Sequence, residues 1–230
     1  MMHARTFAAG AAAVALLSQT LQADDLTRYR AFQLGSGLAA VATASGVNAI
    51  EAKTLHQRPA VLQDLAWRPS QWKAGTVAAS NDPVEQIVFS FYDDQLFRIV
   101  VDYSRDRTEG MTAADLIESI SAIYGTPAKG PFASRTASRV EMESGSALAR
   151  WGAEGHAVVL YKTSTFHDAF RLIVTSPSLD DLALKAAAQS VKLSQQEAPS
   201  RETARLKKAK DDAAVVAERA RAANKKVFWP

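Results

Sequence analysis

Cysteine is absent from the 230-residue chain. That absence excludes structural disulfides, thiolate catalysis, iron–sulfur ligation, cysteine-based zinc sites and a lipid-modified cysteine anchor. Histidine is scarce, with four in all. His56, His156 and His167 follow none of the H-x-x-x-H or H-E-x-x-H spacings that gather a metal ion on one helix face. The G-x-S-x-G turn that presents a nucleophilic serine is missing, since Ser36 lies in G-S-G and Ser146 in S-G-S-A. The adjacent acids Asp93-Asp94 and Asp180-Asp181 read as a turn and a helix start, not as the separated carboxylate pair of a glycosidase. Long apolar runs are lacking too. The run Phe7–Leu17 has 11 residues, and a membrane-spanning helix needs roughly 20.

What is present begins with that run. His3 and Arg5 give a basic start, FAAGAAAVALL an apolar centre, and Leu21-Gln22-Ala23 a small-residue cleavage site. Residues 1–23 are therefore expected to be an export signal; a buried apolar N-terminal helix is the alternative. An alanine- and arginine-rich chain exported without disulfides fits a bacterial envelope. The periplasm is the expected compartment and secretion the alternative.

The formal charge of +3 is unevenly spread. Residues 197–230 hold nine Lys/Arg against five Asp/Glu, whereas residues 24–196 hold 17 against 19. The body thus offers no basic footprint to a nucleic acid. The cluster Arg205, Lys207, Lys208 and Lys210 reads as a solvated run or as a contact to an anionic surface.

Gly35-x-Gly37-x-x-Ala40, in AFQLGSGLAAV, formally satisfies the glycine fingerprint of dinucleotide-binding turns. That chemistry needs a parallel βαβ unit and an acidic residue roughly 20 positions on. Glu51 instead belongs to a capping box with Asn48. The glycines are expected to lead into a helix capped by Ser36, buried through Leu38, Val41 and Ala42, and ended by Gly46. No cofactor is expected.

In AVLQDLAW, Val61, Leu65 and Trp67 share one side of an extended segment. The clearest pattern lies at 84–104. Ile87, Phe89 and Phe91 alternate, Asp93-Asp94-Gln95 turns, and Phe97, Ile99, Val101 and Tyr103 alternate again, which predicts an antiparallel hairpin with one buried face. Thr112 with Asp115 then caps a helix striped by Leu116, Ile117, Ile120, Ile123 and Tyr124 and stopped by Gly125 and Pro127. Extended segments follow at 139–144, 147–151, 156–164 and 169–175. Ser178 with Asp181 starts a helix that closes the body.

These patterns predict an α+β body over 24–196 whose halves, 26–104 and 105–196, each run from a glycine-bounded helix into an antiparallel meander, with the helices on one sheet face. Phe32, Leu34, Gly35, Leu38, Val41 and Gly46, then Asp93–Val101, with Gly110–Gly125 as a second copy, carry a resemblance to the beta-lactamase-inhibitor-like fold. The same residues are similar to the small lipoprotein of the outer-membrane barrel-assembly machine. Both families bind other proteins and catalyse nothing, so the resemblance implies a binding role; the chain departs from the lipoprotein in having no anchoring cysteine.

Residues 197–230 read as a charged helix or a partly disordered extension. Leu206, Ala209, Ala213, Val216, Ala220, Ala223 and Val227 recur at alternating spacings of three and four, a narrow heptad seam rich in alanine. Leu206, Val216 and Val227 are its larger members and would form a coiled coil or dock on a partner helix. Trp72, Tyr92 and Trp151 are the candidate binding surface of the body. The leading expectation is a non-catalytic periplasmic protein-binding or scaffolding module acting on another envelope protein. The alternatives are a small-molecule or lipid carrier with an aromatic-lined sheet pocket, and a hydrolase using Glu154 or His167.

Overall fold

A computed structural model describes residues 26–69, 82–129, 144–152, 155–164, 168–227 and 229. The chain is α+β. A short hairpin, β1 (Arg28–Tyr29) and β2 (Phe32–Gln33), leads through Gly35-Ser36-Gly37 into helix α1 (Leu38–Ser45) and a 3-10 turn (Ala49–Glu51). Strands β3 (Lys53–His56), β4 (Leu62–Trp67), β5 (Val84–Tyr92) and β6 (Gln95–Tyr103) follow. After α2 (Arg105–Thr108) and α3 (Ala113–Tyr124) come β7 (Ser146–Trp151), β8 (Ala157–Ser164), β9 (Asp168–Thr175) and the long helix α4 (Pro177–Val227).

The seven longer strands form one sheet in the order β3-β4-β5-β6-β9-β8-β7, antiparallel at every junction. Each half supplies its own meander, and the last strands of the two halves, β6 and β9, pair at the join. The halves therefore share a single sheet and a common core.

Local sequence explains most of the elements. Asn48 and Glu51, and likewise Thr112 and Asp115, make reciprocal capping boxes at the starts of the 3-10 turn and α3. Gly46 ends α1 at φ 70°, a left-handed conformation that costs glycine little. Asp93 and Asp94 both take positive φ, which gives the β5–β6 hairpin a two-residue turn whose twist matches its strands.

The main core lies on one sheet face. Leu65, Ile87, Phe89, Phe91, Ile99 and Val101 pack there with Trp151, Val158, Leu160 and Leu172. Val41 and Ala42 of α1 and Leu116, Ile120 and Tyr124 of α3 cover them. Each fully buried large side chain there contributes on the order of 1.5–3 kcal/mol.

Three expectations change at this level. Phe97 does not alternate with Ile99. A bulge opposite Ser90 and Phe91 inserts one residue in β6, so Leu96 joins the main core and Phe97 turns to the other face against Leu62 and Ala183. Side-chain direction has a period of two, so a single inserted residue reverses it. Val61 precedes β4 and is exposed, leaving Leu65 and Trp67 on the core side. The hairpin buries both faces, because Val100, Val159, Tyr161 and Ile173 form a second cluster behind the first.

Helix α4 also differs. It begins at Pro177 and runs without interruption through Pro199 to Val227. The start assigned to Ser178 and Asp181 lies inside its first turn. The expected division at 196/197 falls within this one helix, yet it marks a change in burial: residues 198–227 are all exposed. The strand expected at 139–144 lies outside the described residues except for Ser144.

Candidate binding site

The Gly35-Ser36-Gly37 loop is occupied by the protein's own backbone. Gly35 N donates to Leu96 O at 2.7 Å, and Leu96 N donates to Ser36 O at 2.9 Å. Ser36 makes no side-chain cap on α1, whose N-cap is Gly37. The capping acceptor comes instead from the hairpin tip, where Asp94 Oδ1 accepts from Leu38 N at 2.8 Å. A Cβ on Gly37 would stand 3.0 Å from Asp94 Oδ2, so the second glycine makes room for that carboxylate. The described strands pair only antiparallel, the opposite of what a dinucleotide turn requires.

The residues singled out in the sequence are scattered. Trp151 is wholly buried, 0% exposed, and its indole N–H donates to Ser121 Oγ at 3.2 Å, so it packs the core and offers no surface. Tyr92 is half-buried at the end of β5, beside Leu62, Phe97 and Leu179. Trp72, Glu154 and His167 lie outside the described residues, as does the segment 1–23. Leu206, Val216 and Val227 are 59%, 66% and 79% exposed along α4.

The second sheet face holds a cleft of about 720 Å³ beneath the first turns of α4, a size in the range of small-molecule sites. Strand register lays three rows of residues side by side on this face, and Asp64, Ser90, Arg98, Val88, Val100, Gln86, Asp102 and Arg171 among them floor the cleft. Asp64, Ser90, Arg98 and Thr175 make a polar row. Ala66, Val88, Val100, Ile173 and Val159 make an apolar row next to it. Gln86, Asp102, Arg171 and Tyr161 make a second polar row beyond. The roof is the face of α4 that carries Ala183, Leu184, Ala187, Ala188 and Val191.

Ion pairs tie the roof to the floor. Arg98 donates to Asp180 in the first turn of α4, and both side chains are buried. A hydrogen bond between Ser190 Oγ and His56 Nδ1, 2.9 Å apart, joins roof and floor at the β3 edge of the cleft, and Arg58 pairs with Glu197 at 2.8 Å. Small residues at 183, 186 and 190 recur at helical spacing and let the helix lie close to the strands. In the second polar row, Arg171 Nε donates to Asp102 at 2.6 Å and its Nη1 to Ser144 at 3.2 Å.

Asp64 is different. Its carboxylate accepts from Ser90 Oγ at 2.7 Å, and among the described residues no cation stands within ion-pair distance of it. Burial pushes its pKa above the ordinary carboxylate value, with the Ser90 bond and the fields of Arg98 and Lys53 acting in the other direction.

A second cavity, about 530 Å³, opens on the main-core side between the first hairpin and α3. Tyr29, Tyr103 and Tyr124 meet there. The Tyr124 hydroxyl donates to Arg28 O at 2.8 Å, and the hydroxyls of Tyr29 and Tyr103 lie near enough to act on each other's ionisation. Burial raises the pKa of both Tyr29 and Tyr103. Arg30, at φ 53° in the β1–β2 turn, is held by two bonds to Asp82 at 2.8 and 2.7 Å. Those bonds lower the pKa of Asp82. Among the described residues no group of three metal-ligating side chains converges.

The sequence patterns marked Asp180 only as part of a helix start and did not mark Arg98 or Asp64. A signal for Arg98 existed, a lone charge inside the apolar run LFRIVV; a charge in such a run demands a buried partner. The partner, 82 residues away, had no local mark.

Comparison with known proteins assigns no family, since no protein-family model matches the chain and no curated protein or solved structure matches it.

Proposed function

We propose that the protein is a non-catalytic binding module of the bacterial periplasm that uses its C-terminal helix to hold another envelope protein. The export signal expected at 1–23 supports the compartment. One observation carries the binding role: beyond Glu197 the helix leaves the sheet and continues with every residue from 198 to 227 exposed. At 1.5 Å per residue that is roughly 45 Å of unsupported helix. Ion pairs such as Arg205–Glu202 and Arg221–Glu218 support it locally, each contributing only a few tenths of a kcal/mol.

Such an arm presents Leu206, Val216 and Val227 on one side, uncovered by any other described residue. A partner helix or groove that covers this seam would supply the missing burial, and the arm's surplus of positive charge favours an acidic rim on that partner. The small lipoprotein and inhibitor families that the sequence resembles act by protein binding, which agrees in kind.

Pull-down from envelope extracts with the full chain and with a chain lacking residues 197–230 tests the proposal. A specific partner recovered only with the full chain is the expected result. Recovery of the same partner by both forms, or of none by either, rejects the role given to the arm.

The cleft beneath α4 favours a second reading, a carrier of small amphiphilic molecules, which the same protein could combine with docking.

A further inference from the structure

We propose that the cleft between α4 and the second sheet face binds a single-chain amphiphile with an ammonium head, the head on the Asp64 carboxylate and the apolar body over Val88 and Val100 beneath α4. This rests on the carrier reading above and names its ligand class.

Charge accounting in the cleft selects the sign of the head group. Arg98 is matched by Asp180 and Arg171 by Asp102, both through direct contacts. An anionic ligand would have to break one of these pairs and leave a desolvated carboxylate behind, which is costly. Asp64 accepts from the Ser90 hydroxyl, and its cross-strand neighbour Lys53 acts on it only from beyond ion-pair distance, so part of a carboxylate able to accept several donors is left over. An ammonium ion carries three donors, and a charge-assisted bond to a partly buried carboxylate is among the stronger polar contacts available.

The walls select the rest of the molecule. Val88 and Val100 adjoin the Asp64 row on the floor, and Ala183, Ala187 and Val191 line the cleft from the helix. A body lying between floor and roof therefore meets aliphatic carbon on both sides. Burial raises the pKa of Asp64 despite the fields of Arg98 and Lys53, and an ammonium head placed beside the carboxylate would favour the ionised form that it binds. The small side chains of α4 leave the space open; larger ones at Ala183 or Ala187 would close it.

Two fluorescent probes with the same reporter and opposite charge test the assignment on the full chain: dansylcadaverine, which ends in a primary ammonium, and dansylaminoundecanoate, which ends in a carboxylate. Saturable fluorescence enhancement with dansylcadaverine is expected, with a Kd at least tenfold tighter than for the anionic probe. Asp64→Asn keeps the shape and the Ser90 bond, and should weaken dansylcadaverine about tenfold while leaving the melting temperature of the free protein unchanged or higher. Ala187→Met, which narrows the cleft at the roof, should weaken both probes. Equal binding of the two probes, or an unchanged Kd in Asp64→Asn, overturns the ammonium assignment while leaving a carrier possible. Binding of neither probe overturns the assignment and the carrier reading together.

Discussion

The carboxylate of Asp94, at the tip of the β5–β6 hairpin, caps the N-terminus of α1 by accepting from Leu38 N at 2.8 Å. Two segments 56 residues apart are locked by this bond, and Asp93 beside it does the same for β4 by accepting from Val61 N at 2.8 Å. The Gly-Ser-Gly loop is consequently a socket for the hairpin turn. Its glycines serve folding.

Removing the cap isolates its contribution. Asp94→Ala should cost about 1–2 kcal/mol, the range for loss of a helix N-cap, with a residual penalty from placing alanine at positive φ. Asp94→Asn should stay within a few tenths of a kcal/mol of the parent, because asparagine accepts the same bond and tolerates that backbone. Urea denaturation read by circular dichroism measures both; equal losses would mean that charge, and not the cap, matters at this turn.

The buried Arg98–Asp180 pair fastens α4 to the sheet. Breaking it from one side, as in Asp180→Ala, leaves a guanidinium without its carboxylate and should destabilise the protein by about 3–5 kcal/mol. Replacing both partners with apolar residues, Arg98→Met with Asp180→Leu, should recover most of that loss. A double variant no more stable than the single one would show that the pair contributes more than its own neutralisation.

How much of this was legible in the sequence follows the range of the interactions. The Thr112–Asp115 box, the Gly46 terminator and the 84–104 hairpin are short-range features, and each was readable because spacing alone decides it. The Phe97 bulge was not, since a bulge breaks the period on which the reading depends. Ser36 was the obvious local cap for α1; the acceptor came from a turn that no window around Gly35 contains. Pro199 lies inside α4, where exposed helix continues on either side of it at a cost of about 3 kcal/mol that local hydrogen bonds partly offset. The cleft needed α4 and five strands, β3 to β6 from the first half and β9 from the second, so only its individual residues were visible in the sequence.

Alkaline pH should expose the tyrosine cluster. Burial raises the pKa of Tyr29 and Tyr103 in the folded state above the ordinary tyrosine value near 10. An unfolded chain then loses protons that the folded one keeps, so stability falls as pH rises beyond about 10. Tyrosinate absorbance should show these two of the five tyrosines ionising only with unfolding. Tyr103→Phe should flatten the alkaline loss, because it removes one of the two hydroxyls whose pKa burial raises. Full tyrosine titration in the folded protein near pH 10 would contradict the burial.

The central claim is that the exposed seam of α4 holds a partner. Site-specific photo-crosslinking in intact cells tests it most directly, with a benzophenone amino acid placed singly at Leu206, Val216 or Glu218, the last on the opposite side of the same helix. The account predicts one shared adduct from positions 206 and 216 and none from 218. Adducts of equal yield from all three positions, or from none, would contradict it.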